Sequence, residues 1–331
     1  MKRTICLLIS LLMIAAFWPA AANAASGGKA FVVFGGAASG TSGMQAGSAL
    51  AGHVNARTDA INMTAGTSGG SVDNIRRINA GEVDFGIVFG IDAYEAFTGT
   101  GQFAGRKLQK IMTLGNIYMN YIHFNVAANS GISTLNGLIG KRVGFGAQGT
   151  GSSMIAERMF TFLNMMDKIR PAYIGSGDSL TAITDRQLDA AINAPTIPWG
   201  GFLNFASGKN AGFIMDMNDV LRKAGFFEKF PYLFDTAIPA GTYTGFDKDV
   251  PTIGVYTTWG AGAHVPEDVV YTIMKLCFDQ DQVKTLAATM QALGELGNEK
   301  NVLQVDIPLH PGAVRYWKER GLALPKTLQP D

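Results

Sequence analysis

The sequence predicts an α/β protein built as two lobes, and three observations carry that prediction. From residue 30 onward, apolar runs of strand length alternate with segments of helical period. The alternation restarts at residue 122. The strand-like runs end in loops rich in Gly, Ser and Thr, as strand-to-helix connections do. This grammar predicts mostly parallel, doubly wound sheets. A length of 331 residues suits two domains of about 150 residues each. A composition of 47% hydrophobic and 16% charged residues suits a packed core and not a disordered chain.

The first segment stands outside that pattern. Lys2 and Arg3 precede a nearly wholly apolar stretch from Ile5 to Trp18, and Ala22-Asn23-Ala24 follows as a small-x-small site. This is the form of a secretory signal peptide, residues 1–24, cleaved after Ala24. The apolar run is short for a membrane span, and no later stretch approaches the ~20 residues a span needs. Cleavage removes two of 27 basic residues and none of 26 acidic ones, leaving 25 against 26. No strong field remains, so bulk charge does not suggest a nucleic-acid partner. Cys277 is then the one cysteine left, which excludes an internal disulfide.

The elements follow in order. Ala30–Phe34 reads as a buried strand ending at Gly35-Gly36, followed by a helix from about Gln45 to Arg57. Ala60–Thr64 is a second strand, and Val72, Ile75 and Ile78 mark the next helix. Phe85–Phe89 is a third strand, with Asp92 read as a helix cap. The restart places strands at Ile122–Ala127, Arg142–Gly146, Ala172–Ile174 and Ala190–Asn193. Helices fall at Thr134–Ile139, Met154–Leu163 and Leu180–Arg186. Val250–Thr258 is a strand that carries the chain back, and helices follow at Pro266–Phe278, Gln282–Leu293 and Pro311–Trp317. The boundaries between lobes are placed inside strand-like crossings near 125 and 252, which makes the first lobe discontinuous.

Two short motifs suggest chemistry. Gly66-Thr67-Ser68-Gly69-Gly70 fits the G-x-S-x-G nucleophile elbow, with Asp249 and His310 as conceivable triad partners. It follows only the second strand of the lobe, and no His-Gly-Gly oxyanion segment accompanies it. Gly144-x-Gly146-x-x-Gly149 fits a dinucleotide fingerprint, yet the next strand region ends in Gly175-Ser176-Gly177 and not in the required acid. Residues 135–142 do not form a P-loop. The His residues at 53, 123, 264 and 310 have no metal-ligand spacing, so neither metal nor cofactor is expected. What remains are three polar loops that each precede a helix: Ser39–Ser42, Thr67–Ser71 and Gly149–Ser153. Free N–H groups and the helix dipole make such places anion sites. Loops from both lobes converging on a cleft would hold a small carboxylate.

These loops carry a resemblance to a known family. Gly66-Thr67-Ser68-Gly69-Gly70-Ser71-Val72-Asp73-Asn74 is similar to the T-G-G-S-V-x-N motif of TAXI proteins, the receptors of tripartite ATP-independent periplasmic (TRAP) transporters. The likeness continues through Gly81–Gly86, Asp92–Phe97, Gly131-Ile132, Gly140–Val143, Gly146–Ser152, Leu188–Ala191, Gly241–Gly245, Asp249–Thr252 and Pro308–Gly321. It spans nearly the whole exported chain in order. One departure stands out: where the family usually has G-T-Y-Y-P-x-G, this chain reads Gly40-Thr41-Ser42-Gly43-Met44-Gln45-Ala46, without the tyrosine pair. A second is Phe89-Gly90, where the family often has a polar residue.

The resemblance implies a type II periplasmic binding protein: two α/β lobes joined by a hinge, with an interlobe ligand cleft. Residues 25–124 with 253–331 form one lobe, and residues 125–252 the other. It implies a periplasmic receptor with no enzyme activity, partnered by a TRAP membrane permease. The expected ligand is a dicarboxylate or an acidic amino acid such as glutamate. Ser39, Gly40, Thr41, Ser42, Thr67, Ser68 and Gly69 are expected to bind it from the first lobe. Gly149, Thr150, Gly151 and Ser152 are expected to bind it from the second. Phe89 and Trp199 would supply apolar walls, with Asn193 as a further contact. A serine hydrolase built on Ser68 and a periplasmic sensor subunit are the alternatives.

Overall fold

The computed structural model describes residues 28–208, 211–302, 304–305 and 307–330; the expected signal peptide lies outside the described residues. Strand β1 (Ala30–Gly35) pairs in parallel with β2 (Ile61–Gly66), Ala30 against Ile61 through Gly35 against Gly66. Helix α1 (Ser42–Asn55) connects them and buries Ala46, Leu50 and Val54. Helix α2 (Ser71–Ala80) buries Val72, Ile75 and Ile78, the apolar period read from the sequence. It leads to β3 (Phe85–Phe89), every residue of which is buried, and to α3 (Gly90–Thr98).

The chain then crosses. Strand β4 (Ile111–Tyr121) runs through Ile122 into β5 (His123–Ala127). The second set follows as β6 (Arg142–Gly144), α4 (Gly151–Phe162), β7 (Arg170–Ala172), α5 (Ser176–Thr184), β8 (Ala190–Asn193), α6 (Gly200–Ser207) and β9 (Ala211–Phe213). Helices α7 (Met217–Lys223) and α8 (Phe226–Lys229) precede β10 (Leu233–Ile238) and the 13-residue β11 (Val250–Gly262). The remaining helices are α9 (Glu267–Phe278), α10 (Gln280–Thr289), α11 (Glu299–Val302) and α12 (Pro311–Glu319).

Two sheets result. The first has the order β10-β11-β3-β1-β2, with β4 also paired to β11; the second has the order β7-β6-β8-β5-β9. Both are mixed, where the sequence pattern predicts mostly parallel sheets. β1 with β2 and β3, and β6 with β7 and β8, are parallel. Every pairing made by β5 and β11 is antiparallel. The reason is that the crossing strands return the chain between the sheets and run against the βαβ units they join. The crossings expected near 125 and 252 fall within β5 and β11. Strand β10, assigned by sequence to the second lobe, is hydrogen-bonded along its length to β11 in the first sheet. The junction is tied by Ile122 N–H donating to Ile253 O at 2.8 Å and by the Thr252 hydroxyl donating to Ile122 O.

Two large cores form, the second of which also takes in Phe89, Leu233, Ile253 and Val255 from strands of the first sheet. The first gathers Phe34, Phe85, Trp259, Phe278 and Trp317, roofed by α9 and α12, and Trp317 Nε1 donates to Leu114 O at 3.3 Å. Cys277 lies wholly within it, and burial pushes its thiol pKa up. The second gathers Phe145, stacked on Phe160 at 5.3 Å, with Phe226 and Ile192. Large apolar side chains removed from water at roughly 25 cal/mol per Å² make these cores the main source of stability.

Candidate functional site

Between the two sheets lies a cavity of about 440 Å3, lined by strand-to-helix loops of both sheets. Its chemistry begins with helix starts. Thr41 caps α1: its hydroxyl accepts from Met44 N at 3.3 Å and donates to Ala38 O at 2.7 Å. Thr150 caps α4 in the same way, accepting from Ser153 N at 3.4 Å and donating to Ala147 O at 2.7 Å. The first-turn N–H groups of a helix have no partner inside it. Those of Ser42 and Gly43 in α1, and of Gly151 and Ser152 in α4, belong to residues that line the cavity. Helix α5 contributes its start at Ser176–Asp178, α2 at Gly70-Ser71, and α6 at Trp199 and Gly201. Five helices thus direct their positive ends toward one space. Among the described lining residues there is no Lys or Arg, and Asp178 is the charged side chain.

The structure gathers nine of the expected residues on this cavity: Ser39, Gly40, Thr41, Ser42, Phe89, Thr150, Gly151, Ser152 and Trp199. Thr67, Ser68, Gly69, Gly149 and Asn193 are not among its lining. The Ser68 hydroxyl donates to Gly36 O at 2.9 Å and accepts from Gly70 N at 3.1 Å, and Gly69 N donates to Asp73 Oδ2 at 3.1 Å. That loop spends its polar groups on its own turn and on the chain that leaves β1. Asn193 is buried in the second sheet, donating to Ser179 Oγ at 3.2 Å and accepting from Asn125 Nδ2 at 2.8 Å. Gly149 is half-buried at the turn before α4. Asp92, expected as a cap, sits fully buried within α3, where Phe89 holds the N-cap position.

The long motif has a structural task. Asn74 Nδ2 lies 3.0, 2.8 and 2.9 Å from the carbonyls of Gly35, Gly36 and Ile87, which fastens the C-terminal ends of β1 and β3. Ser71 Oγ accepts from Phe89 N at 2.9 Å. The strand ends that carry the cavity loops are held in place from below.

Three contacts join the two halves across the cavity. The hydroxyls of Ser42 and Thr196 are 3.2 Å apart, and Thr196 N donates to Ser42 Oγ at 3.4 Å. The Phe89 ring lies so close to Gly151 that a Cβ there would stand 1.5 Å from Cε2. Arg158 of α4 pairs with Glu95 of α3 at 2.8 Å, both nearly buried. Gln102 donates to the Oδ1 of the buried Asp92 at 3.3 Å, and the Arg158 charge acts on Asp92 without an ion pair between them. Burial, opposed in part by Ser71 and Arg158, pushes the Asp92 pKa up to about 6.

The sequence reading misses the floor and one wall. Tyr118, Asn120 and Thr257 reach the cavity from β4 and β11, and Asn120 Nδ2 donates to Thr257 Oγ1 at 2.6 Å. The Gly175–Asp178 start has the same glycine-rich grammar as the other loops and was legible by that signal. Trp199 is held by a relay: its N–H donates to Tyr243 Oη at 3.0 Å, and the Tyr243 hydroxyl donates to His123 Nε2 at 2.7 Å. His123 Nδ1 bonds Tyr121 O at 2.9 Å, so Nδ1 carries the proton. Burial lowers the His123 pKa to about 4, which keeps the ring neutral.

The hydrolase alternative finds no assembled triad. Both ring nitrogens of His310 are engaged elsewhere, Nδ1 accepting from Gly312 N and Nε2 donating to Val265 O. Asp249 accepts from Ala240 N at 2.8 Å. Among the described residues, no group of three or more His, Cys, Asp or Glu is placed to hold a metal. No helix among them is long and apolar enough to cross a membrane.

Solved structures share this architecture. MatC from Rhodopseudomonas palustris, determined with bound malate, superposes with a TM-score of 0.52 at 13% identity, over 80% of this chain and 88% of its own. The alkanesulfonate-binding protein SsuA from Xanthomonas axonopodis pv. citri, bound to MOPS, gives 0.46 at 15% identity, covering 92% and 96%. The periplasmic aliphatic sulphonate-binding protein SsuA from Escherichia coli gives 0.46 at 13% identity, covering 90% and 94%. The fold, mixed α/β with two sheets, is one that this chain shares with MatC. A family model matches residues 34–321, and the chain accordingly belongs to the NMT1-like family.

Proposed function

We propose that this protein is an exported solute-binding receptor of the TAXI type, which captures a small organic acid in the interlobe cavity and delivers it to a TRAP membrane permease. The observation that carries the reading is the convergence of helix starts from both sheets on one cavity without a lysine or arginine. Unpaired N–H groups and helix dipoles bind an anion there without a buried countercharge. The ligand's carboxylate is bound by backbone N–H groups, because the Thr41 and Thr150 hydroxyls are already used as caps. The malate bound by MatC is an acid of this kind in a protein of the same fold. The TAXI motifs and the TRAP partner rest on the sequence resemblance, and the signal peptide on residues 1–24.

A ligand that touches both sheets stabilises the conformation in which they meet, so closure about the strands near Ile122 and Ile253 is the accompanying motion. The test is a thermal-shift screen of the exported protein against carboxylic acids and their neutral amides. A binder of the native state raises the midpoint by mass action. The expected result is a shift with an acid and none with its amide. Equal shifts for acid and amide would remove the carboxylate from the reading.

A further inference from the structure

We infer that the ligand is a monocarboxylic acid with a bulky apolar body, aromatic or of medium chain length, and not a four- or five-carbon diacid or glutamate; this inference rests on the acid-receptor reading above. The first ground is size. At roughly 30 Å3 for each water-sized group, the 440 Å3 cavity takes about fifteen non-hydrogen atoms, whereas malate and glutamate have about ten. That volume exists while the two halves already touch through Ser42 with Thr196 and through Glu95 with Arg158.

The second ground is the distribution of polar groups. Ala37, Ile87, Phe89, Tyr118, Pro195 and Trp199 give the cavity apolar walls. The donors suited to an anion are gathered at the helix starts. At the floor, Asn120 Nδ2 is spent on Thr257 Oγ1 at 2.6 Å and lies 3.3 Å from Val255 O. A second carboxylate reaching that floor meets no cation, and desolvating an unpaired charge costs far more than burying a ring or an alkyl chain. The one charged lining group, Asp178, repels it.

The third ground is local packing. A Cβ at Gly43 would stand 2.6 Å from Ile87 Cδ1. The first turn of α1 therefore lies directly on Ile87, which sets an apolar wall beside the N–H groups of that turn.

The experiment is calorimetric titration of the exported protein, stripped of co-purifying small molecules, with 5-phenylpentanoate, indole-3-butyrate, decanoate, L-malate and L-glutamate, and with 5-phenylpentanamide as neutral control. The expected outcome is that the tightest of the three apolar acids binds at least tenfold more tightly than malate or glutamate, and that the amide binds at least tenfold more weakly than its acid. If malate or glutamate binds as tightly as the best apolar acid, this inference is overturned while the acid-receptor reading stands. If the amide matches its acid, or if no acid binds, both fall.

Discussion

Two loops of nearly the same composition do opposite work. Ser39-Gly40-Thr41-Ser42 and Thr67-Ser68-Gly69-Gly70 each link a parallel strand of the first sheet to the helix after it. The first lines the cavity, and it opens a helix whose early N–H groups face that space. The second ties its N–H groups down internally, Gly69 to Asp73 and Gly70 to Ser68, and it anchors β1 through Gly36. Composition marks both as helix starts. What separates a binding loop from a scaffold loop is whether its donors are consumed by its own turn, and that is a matter of geometry.

The sharpest way to test the scaffold half of this comparison is Asn74→Ala. The change leaves the carbonyls of Gly35, Gly36 and Ile87 without their shared donor in a buried place. At about 1–3 kcal/mol for an unsatisfied buried group, the expected loss is roughly 3 kcal/mol or more, read from chemical denaturation. A loss below about 0.5 kcal/mol would mean that the strand ends hold themselves and that the motif belongs to the site instead.

Asp92 gives the next effect, in the same scaffold region. Its folded pKa of about 6 lies above the ordinary 3.8 because burial disfavours the charge. The protonated form is therefore favoured by folding. The contribution to stability is full below the ordinary value and is lost as pH rises through about 6, on the order of 3 kcal/mol. Asp92→Asn should be more stable than the parent at pH 7.5, with the difference vanishing toward pH 4. Other groups titrate in the same range; burial raises the Glu295 pKa to about 7. For that reason the measurement is the difference between the two proteins across pH. A constant difference would show that Arg158 already neutralises Asp92.

Gly151→Ala tests the cavity half. The added methyl falls on the Phe89 ring, so the α4 start has to retreat from the first sheet. Ligand affinity should fall about tenfold, near 1.4 kcal/mol, with the thermal midpoint of the unliganded protein within a few degrees of the parent. Shortening the ring in the Phe89→Ala, Gly151→Ala double variant should recover part of the loss. Additive losses would separate this contact from binding.

Much of the fold was legible because the βαβ units obey local rules. The expected strands at Ala30–Phe34, Phe85–Phe89 and Ala190–Asn193 agree with β1, β3 and β8 to within a residue. β4 escaped because it is buried on both faces, so Ile111–Tyr121 shows no alternation, and its pairing with β11 shifts register twice. Helix α6 and the three-residue β9 carry too few residues for a period to register. At the site, helix starts could be read from Gly, Ser and Thr, but their direction could not. Asn120 and Thr257 come from strands far apart in sequence and meet only through the β4–β11 pairing, so no local signal announces them.

The smallest expected effect is the most discriminating. Ser68 sits in a loop that resembles a nucleophile elbow and was expected to bind ligand, yet its hydroxyl already has a carbonyl acceptor, Gly36 O at the end of β1, and an N–H donor, Gly70, in its own turn. Ser68→Ala removes two ordinary hydrogen bonds in a half-buried place, which costs about 1 kcal/mol of stability. Ligand affinity should stay within twofold of the parent, because the cavity-lining N–H groups of α1 and α4 are untouched. A tenfold loss of affinity at unchanged stability would place this loop in the site after all and erase the distinction between the two loops. Covalent labelling by a fluorophosphonate would go further, since it requires a base beside Ser68 that the geometry assigns elsewhere: His310 is held between Gly312 and Val265.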